Sequence, residues 1–149
     1  MNQPDMPAVV SEVLVCTTCR PAGASRDAPA AGQQLWEAVQ AAASIAPPPP
    51  GVRLRGYACL NSCSRACTVA YQALGKHSYC FGDLQPDAET AAQVLACAAL
   101  HAASADGNLP RAQRPERLRG GILLRLPPLL AGHAPDAAPA PGDAANVLA

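Results

Sequence analysis

The chain has 149 residues, which is the length of one ordinary domain. Its 11 basic and 11 acidic side chains cancel, so the charge does not point to nucleic acid or an anionic membrane as a partner. No apolar run approaches the ~20 residues that span a bilayer. The polar segment 1–7 does not resemble a signal peptide. We therefore expect a cytoplasmic protein.

The first half of the chain predicts two strands and a helix. Residues 1–10 have little periodicity and are predicted to be a flexible tail. The β-branched run 9–15 predicts a buried strand. Apolar residues then recur at helical spacing over residues 32–46, and four prolines follow, which cannot continue a helix. The alternation of apolar and polar residues over Val52–Tyr57 predicts a half-buried second strand.

The second half predicts two more strands and a second helix. The strands cover residues 68–74 and 77–81, with a turn at Gly75 and Lys76 between them. A helix is predicted from residue 87 to about residue 104, with acidic residues in the first turn, where the helix dipole favours them. The order strand–helix–strand–strand–strand–helix predicts an α/β, thioredoxin-like fold for residues 11–107.

The C-terminal part of the chain has a different composition. Residues 108–130 form a basic extension in which residues 121–126 predict a further short strand. The extension carries one acid, Glu116, against five arginines: Arg111, Arg114, Arg117, Arg119 and Arg125. It is either a solvated surface or a docking surface for an acidic partner or an anionic ligand. Residues 131–149 contain mainly Ala, Pro, Gly and Asp, and are predicted to be disordered.

Five of the seven cysteines fall in two groups. They form C-x2-C at Cys16 and Cys19 and C-x3-C-x3-C at Cys59, Cys63 and Cys67. Each group follows a predicted strand, so both groups meet at one end of the sheet if those strands are parallel neighbours. In a reducing compartment grouped thiols indicate a metal site or redox chemistry rather than disulfides. Four thiolates suit zinc or an iron–sulfur cluster.

The remaining candidate residues carry weaker signals. Cys80 lies within a strand and Cys97 lies on a helix stripe, so both are predicted to be structural. None of the three histidines has ligand spacing to another, and each is predicted to be a surface or structural residue: His77, His101 and His133. The sequence has no Gly-rich phosphate loop and no nucleophile elbow, so we expect a binding protein rather than an enzyme.

Three motifs resemble a bacterial family of uncharacterised predicted metal-binding proteins. They are Val-Cys-Thr-Thr-Cys-Arg at 15–20, Cys-Leu-x-x-Cys-x-x-x-Cys-Thr-Val-Ala at 59–70, and Arg-Pro-Glu-x-Leu-Arg with Arg-Leu-Pro-Pro at 114–119 and 125–128. The resemblance covers roughly residues 11–130. That family is often encoded beside cobalamin-biosynthesis and cobalt-handling functions, so the resemblance implies a link to cobalamin or cobalt metabolism.

The second half also resembles the thioredoxin-like [2Fe–2S] ferredoxins. The match is Cys59-Leu-x-x-Cys63, an apolar strand, a Gly-Lys turn and Tyr-Cys-Phe-Gly-Asp-Leu at 79–84. This resemblance implies a [2Fe–2S] cluster held by Cys16, Cys19, Cys59 and Cys63, a redox partner protein and a homodimer. Those ferredoxins space their first two cysteines more widely, and many have Gly-Pro in place of Ala66-Cys67. Cluster type and ligand choice therefore stay open, with Cys67 as an alternate ligand.

Three functions compete at this point. The leading hypothesis is a small ferredoxin-like electron carrier or cluster accessory protein, with Arg111 to Arg125 as the docking surface for its partner. The second is a zinc- or cobalt-binding protein that uses the same thiolates. The third is a thiol oxidoreductase built on Cys16 and Cys19. Two features disfavour the third hypothesis: a long loop separates Cys19 from the first helix, and no proline precedes the strand at residue 68.

Overall fold

The structure is a computed structural model that describes residues 10–129. The described residues form β1 (Ser11–Cys16), α1 (Ala31–Ile45), β2 (Val52–Tyr57), β3 (Val69–Gln72), β4 (Ser78–Phe81), α2 (Ala88–Ala103) and β5 (Ile122–Leu126). This order confirms the six elements predicted from the sequence and the additional strand in the extension. The predicted disordered tail at 131–149, His133 and nearly all of the predicted flexible tail lie outside the described residues.

The strands form one mixed sheet in the order β2-β1-β3-β4-β5. β1 and β2 are parallel, and all other neighbouring strands are antiparallel. With α1 as the crossover between the parallel strands, this topology is the predicted thioredoxin-like fold. Because β1 and β2 are parallel, their last residues, Cys16 and Tyr57, are paired. Both cysteine groups therefore start from the same end of the sheet, as expected.

Both helices pack on one face of the sheet. The alternation along the strands sends Val13 and Val15 of β1 into this core together with Tyr71 and Phe81, and all four side chains are fully buried. Leu35 of α1 and several residues of α2 cover them. Burying one such aliphatic side chain contributes ~1.5–3 kcal/mol, so this layer supplies most of the hydrophobic stabilisation.

Most predicted boundaries differ from the observed ones by one or two residues, and two of the differences have a clear cause. β3 ends at Gln72 rather than near residue 74, because Leu74 is 98% exposed and Gly75 has a φ of 71°, which suits a tight turn. α2 begins at Ala88, after the N-cap residue Asp87, whose carboxylate accepts a hydrogen bond from the Thr90 N–H at 2.8 Å. Asp87 therefore caps the helix from just outside its first turn.

His101 ties the far end of α2 to the sheet. Its side chain is fully buried, with Nδ1 2.6 Å from the Ser11 hydroxyl and Nε2 2.8 Å from the His77 carbonyl. Because a carbonyl can only accept, Nε2 carries the proton and the Ser11 hydroxyl donates to Nδ1. The Lys76 ammonium donates to the carbonyls of His101 and Ala102, which are among the last of the helix. His101 is therefore the structural residue that the sequence predicts.

The basic extension is part of the same core and sheet. Leu118 is fully buried and Leu109 is 4% exposed. Arg114 is 6% exposed, and its guanidinium lies 5.5 Å from the centre of the Phe81 ring. β5 then pairs with β4 and forms an edge of the sheet. Within residues 10–129, neither helix combines the length and the apolar character that a membrane crossing requires.

Candidate metal centre

The first thiol pair is buried where β1 ends. Cys16 and Cys19 are each 1% exposed, and each thiol shifts the pKa of the other. Their loop lies against the first turn of α1, where the Gly32 N–H donates to the Cys19 carbonyl at 3.0 Å. A Cβ at Gly32 would overlap the Cys16 carbonyl oxygen and lie 3.0 Å from the Cys19 nitrogen. Glycine is therefore required where the helix meets this inner thiol pair.

The second thiol pair is exposed on the loop after β2. Cys59 and Cys63 both face solvent, and the nearby Cys59 raises the pKa of Cys63. Between them, Asn61 has a φ of 58°, a conformation that Asn tolerates better than most residues. The Asn61 N–H donates to the Cys59 sulfur at 3.3 Å. This geometry defines an outer thiol pair, in contrast to the buried inner pair of Cys16 and Cys19.

The two loops are in direct contact. The backbone N–H of Thr17, in the inner loop, donates at 2.9 Å to the carbonyl of Tyr57, where the outer loop begins. The Thr18 hydroxyl of the inner loop donates to the Ala58 carbonyl of the outer loop. The four predicted ligands are thus brought to one end of the sheet as two pairs. Among residues 10–129, however, no three Cys, His, Asp or Glu side chains lie close enough to form a ready-made metal site.

The two thiols of the inner pair shift each other's pKa in opposite directions. The neighbouring Cys19 thiol lowers the pKa of Cys16, and the nearby backbone N–H groups of Leu60 and Thr18 lower it too, against the opposing effect of burial. The neighbouring Cys16 and burial raise the pKa of Cys19. Cys16 is therefore the thiol of the pair that loses its proton more readily, which suits binding of a cation.

The outer pair is also affected by charge. The pKa of Cys63 is raised by Cys59, its partner in the outer pair, and by the neighbouring Cys16 thiolate of the inner pair. The Cys16 charge acts across the two loops, in agreement with the hydrogen bonds that join them. A cation placed among these sulfurs would remove this repulsion, because it would neutralise the thiolates together.

Cys67 differs from the four other grouped cysteines because it belongs to the hydrophobic core. It is 1% exposed, packs within the hydrophobic core, and exchanges backbone hydrogen bonds with Leu84 at 3.1 and 3.2 Å. Its peptide bond with Ala66 is cis. Burial raises the pKa of the Cys67 thiol to about 11. Nothing tests its predicted role as an alternate ligand, which stays a prediction.

Cys80 has a feature that the sequence reasoning missed. It is 8% exposed and lies on the sheet face opposite the helices, as Cys16 does. Burial raises its pKa, and the Cys16 thiolate contributes to the shift. The pairing register could have revealed this, since Cys80 is opposite Ala70 and Ala70 is opposite Leu14, two residues before Cys16. Cys97, by contrast, is fully buried in the core, as its place on the helix stripe predicts.

The outer loop is anchored to the end of β4. Arg65, at the end of the short helical turn Cys63–Arg65, binds the Asp83 carboxylate with both Nε and Nη2. The Asp83 N–H donates to the Arg65 carbonyl at 2.7 Å, and a Cβ at Gly82 would lie 2.7 Å from that same oxygen. These contacts fix the loop just after the second cysteine of the outer pair.

One argument made from the sequence against a thiol oxidoreductase was that a long loop separates Cys19 from α1. The structure shows that Cys19 is nevertheless close to that helix. The loop between Cys19 and α1 is long, but it folds back on itself, with the Ala24 N–H donating to the Pro21 carbonyl and Arg20 donating to the Ser25 carbonyl. Cys19 therefore lies directly at the start of α1, in contact with Gly32. The number of residues between Cys19 and α1 therefore does not indicate the distance between them.

The arginines of the extension make contacts within the chain. Arg117 binds the carboxylates of Asp87 and Glu89 at 2.7 and 2.8 Å. Three other arginines also donate hydrogen bonds: Arg111 to the Arg119 carbonyl, Arg119 to the Arg114 carbonyl, and Arg125 to the Asn108 side chain. A docking surface on this segment would have to use arginines that already make contacts within the chain. The docking role stays a prediction.

The sulfur-only donor set fits a thiolate-ligated metal. Soft thiolates select zinc and iron–sulfur clusters. A backbone N–H that points at sulfur, here that of Asn61, stabilises the negative charge that such a ligand carries. The exposed outer pair also leaves an entry path for a metal. The chemistry of the inner and outer pairs therefore fits a thiolate-ligated metal, and the two pairs must move closer together to bind it.

Comparison with known proteins gives a family and a fold neighbour. No curated protein matches the chain. Among solved structures, the chain is similar to a thioredoxin-like [2Fe–2S] ferredoxin from Aquifex aeolicus, with 16% identity, a TM-score of 0.45, and coverage of 77% of this chain and 91% of that chain. The sequence profile of the family described as "Protein of unknown function (DUF1636)" matches residues 13–128. The chain therefore belongs to the DUF1636 family.

Proposed function

We propose that the protein binds a [2Fe–2S] cluster through Cys16, Cys19, Cys59 and Cys63, and that it acts as a small ferredoxin-like electron carrier or cluster accessory protein. One observation carries this proposal: two loops bring two thiol pairs to one end of the sheet, and the loops are joined by the hydrogen bond from the Thr18 hydroxyl to the Ala58 carbonyl. The resemblance of the cysteine motifs to those of thioredoxin-like ferredoxins supports it.

The two pairs have different tasks in this proposal. The buried inner pair gives a fixed point of attachment, because β1 and the first turn of α1 hold its backbone. The exposed outer pair faces the solvent and thus any redox partner. When bound, a cluster of this kind supplies one-electron transfer, and N–H donors to sulfur and solvent exposure tune its potential. The chain itself then turns over no substrate and acts in the cytoplasm, in a process linked to cobalamin or cobalt.

A second candidate is a zinc- or cobalt-binding protein that holds or transfers the ion through the same thiolates. The observation that favours it is the arrangement of the sulfurs as two separate pairs. One ion that needs four tetrahedral thiolates could bind the inner pair first and draw the exposed pair in afterwards.

One experiment separates the two candidates. The protein is purified without oxygen, its absorption spectrum is measured, and iron, acid-labile sulfide, zinc and cobalt are quantified in the same sample. A red-brown protein with about two irons and two sulfides per chain supports the cluster. A colourless protein with about one zinc and no sulfide supports metal binding or transfer instead.

The ligand assignment is tested with serine variants. We expect Cys59→Ser and Cys63→Ser to lose the bound iron, because each removes one of four thiolates while leaving an exposed side chain that the fold does not need. The matched control is Cys97→Ala, in the core far along α2, which should keep the iron. Full iron content in both serine variants would refute the assignment.

A further inference from the structure

Thr68 makes two contacts with the inner loop. It is fully buried, immediately before β3, and its hydroxyl lies 3.3 Å from the Cys19 sulfur. Its carbonyl accepts a hydrogen bond from the Cys16 N–H at 3.1 Å. One residue therefore holds both ends of the C-x2-C loop against the start of β3.

The direction of the hydroxyl bond depends on the state of Cys19. A thiol can donate to the hydroxyl, but a thiolate can only accept, so a metal-bound Cys19 sulfur requires the Thr68 hydroxyl to donate. No such donor is free for Cys16 on its own loop. The Thr18 hydroxyl is 3.7 Å from the Cys16 sulfur and already donates to the Ala58 carbonyl.

We propose that Thr68 is a positioning residue of the metal centre, which holds Cys19 in place and stabilises its deprotonated sulfur. The inference rests on the proposed thiolate site but not on the kind of metal bound there. A hydroxyl that donates to this sulfur should strengthen binding of any metal at the inner pair. In a loaded cluster it should raise the reduction potential, because donors to sulfur stabilise the more negative, reduced state.

The test uses three variants and zinc as the probe. Thr68→Val removes the hydroxyl and keeps the shape and the N–H, and Thr68→Ser restores a hydroxyl. Thr90→Val is the control, because Thr90 is another fully buried threonine, whose hydroxyl accepts from Arg117 at the start of α2. Zinc affinity of the metal-free chain is measured by competition with a chelator. The midpoint potential is measured on iron-loaded protein.

We expect zinc to bind about tenfold more weakly in Thr68→Val, as is typical when a residue that supports a ligand is lost. Thr68→Ser should recover most of that affinity, and Thr90→Val should match the natural chain. The potential should fall in Thr68→Val and return in Thr68→Ser. Equal zinc affinity in Thr68→Val and the natural chain, or no recovery in Thr68→Ser, would overturn the inference.

The inference and the proposed function fail in different ways. A natural chain that binds zinc with the expected dependence on Thr68 but takes up no iron or sulfide would refute the cluster and support the role of Thr68. A chain that binds iron and sulfide with no effect of Thr68→Val on affinity or potential would do the reverse. A chain that binds neither metal would overturn both.

Discussion

Replacing Gly32 by alanine tests the contact between α1 and the inner thiol pair. In a free helix the change is favourable by about 1 kcal/mol, because Gly is a poor helix former. Here the new Cβ would overlap the carbonyl oxygen of Cys16 and lie 3.0 Å from the Cys19 nitrogen. Both are backbone atoms, so neither can turn away as a side chain would. Overpacking of this kind costs ~1–3 kcal/mol or more, and the rigid neighbours favour the upper end.

The net expectation for Gly32→Ala is a loss of ~2 kcal/mol in the free energy of unfolding, the reverse of what helix propensity alone predicts. Urea unfolding measures it, through the midpoint at an unchanged slope. Zinc affinity should fall as well, since relief of the overlap must displace Cys16 or Cys19. Gly120→Ala is the control, because a Cβ there has no atom within 4 Å, and its stability should change by less than ~0.5 kcal/mol. A Gly32→Ala variant as stable as the natural chain would refute the reasoning.

Two further predictions concern the core. Leu118→Ala should cost ~2–5 kcal/mol in urea unfolding, because Leu118 is fully buried, and a loss below ~1 kcal/mol would show that the extension is not part of the core. Stability should also fall as the pH falls below about 6.5, the ordinary pKa of histidine, because burial lowers the pKa of His101. The folded state then binds fewer protons than the unfolded state, and the nearby Lys76 charge adds to this. His101→Gln should remove that slope in urea titrations at pH 5 to 7, and an unchanged slope would assign it to other groups.

Local patterns predicted the elements well. The alternation of apolar and polar residues predicted the bounds of β2, Val52–Tyr57, because successive residues of a strand with one covered face are buried and exposed in turn. The proline run fixed the end of α1 to within one residue. The meeting of the two cysteine groups was also predictable, since it follows from β1 and β2 being parallel neighbours.

Contacts between distant segments were not predictable in the same way. The nearness of Cys19 to Gly32 depends on how an irregular loop folds back, which no periodicity encodes. The burial of Arg114 over the Phe81 ring is equally hidden, because an arginine in a basic segment usually faces solvent. The contact of Thr68 with Cys19 emerges only when β3 is placed against β1, so that the Thr68 hydroxyl reaches the Cys19 sulfur.

The strand order has a consequence for how the chain is made. After the crossover that sets β2 beside β1, the strands β3, β4 and β5 are added outward, each next to an edge that already exists. All five grouped cysteines are synthesised before β3 begins. The loops that carry Cys16, Cys19, Cys59 and Cys63 can therefore meet as soon as β2 pairs with β1, before β3, β4 and β5 are added. During synthesis the thiol site can take shape before the sheet acquires its last edge.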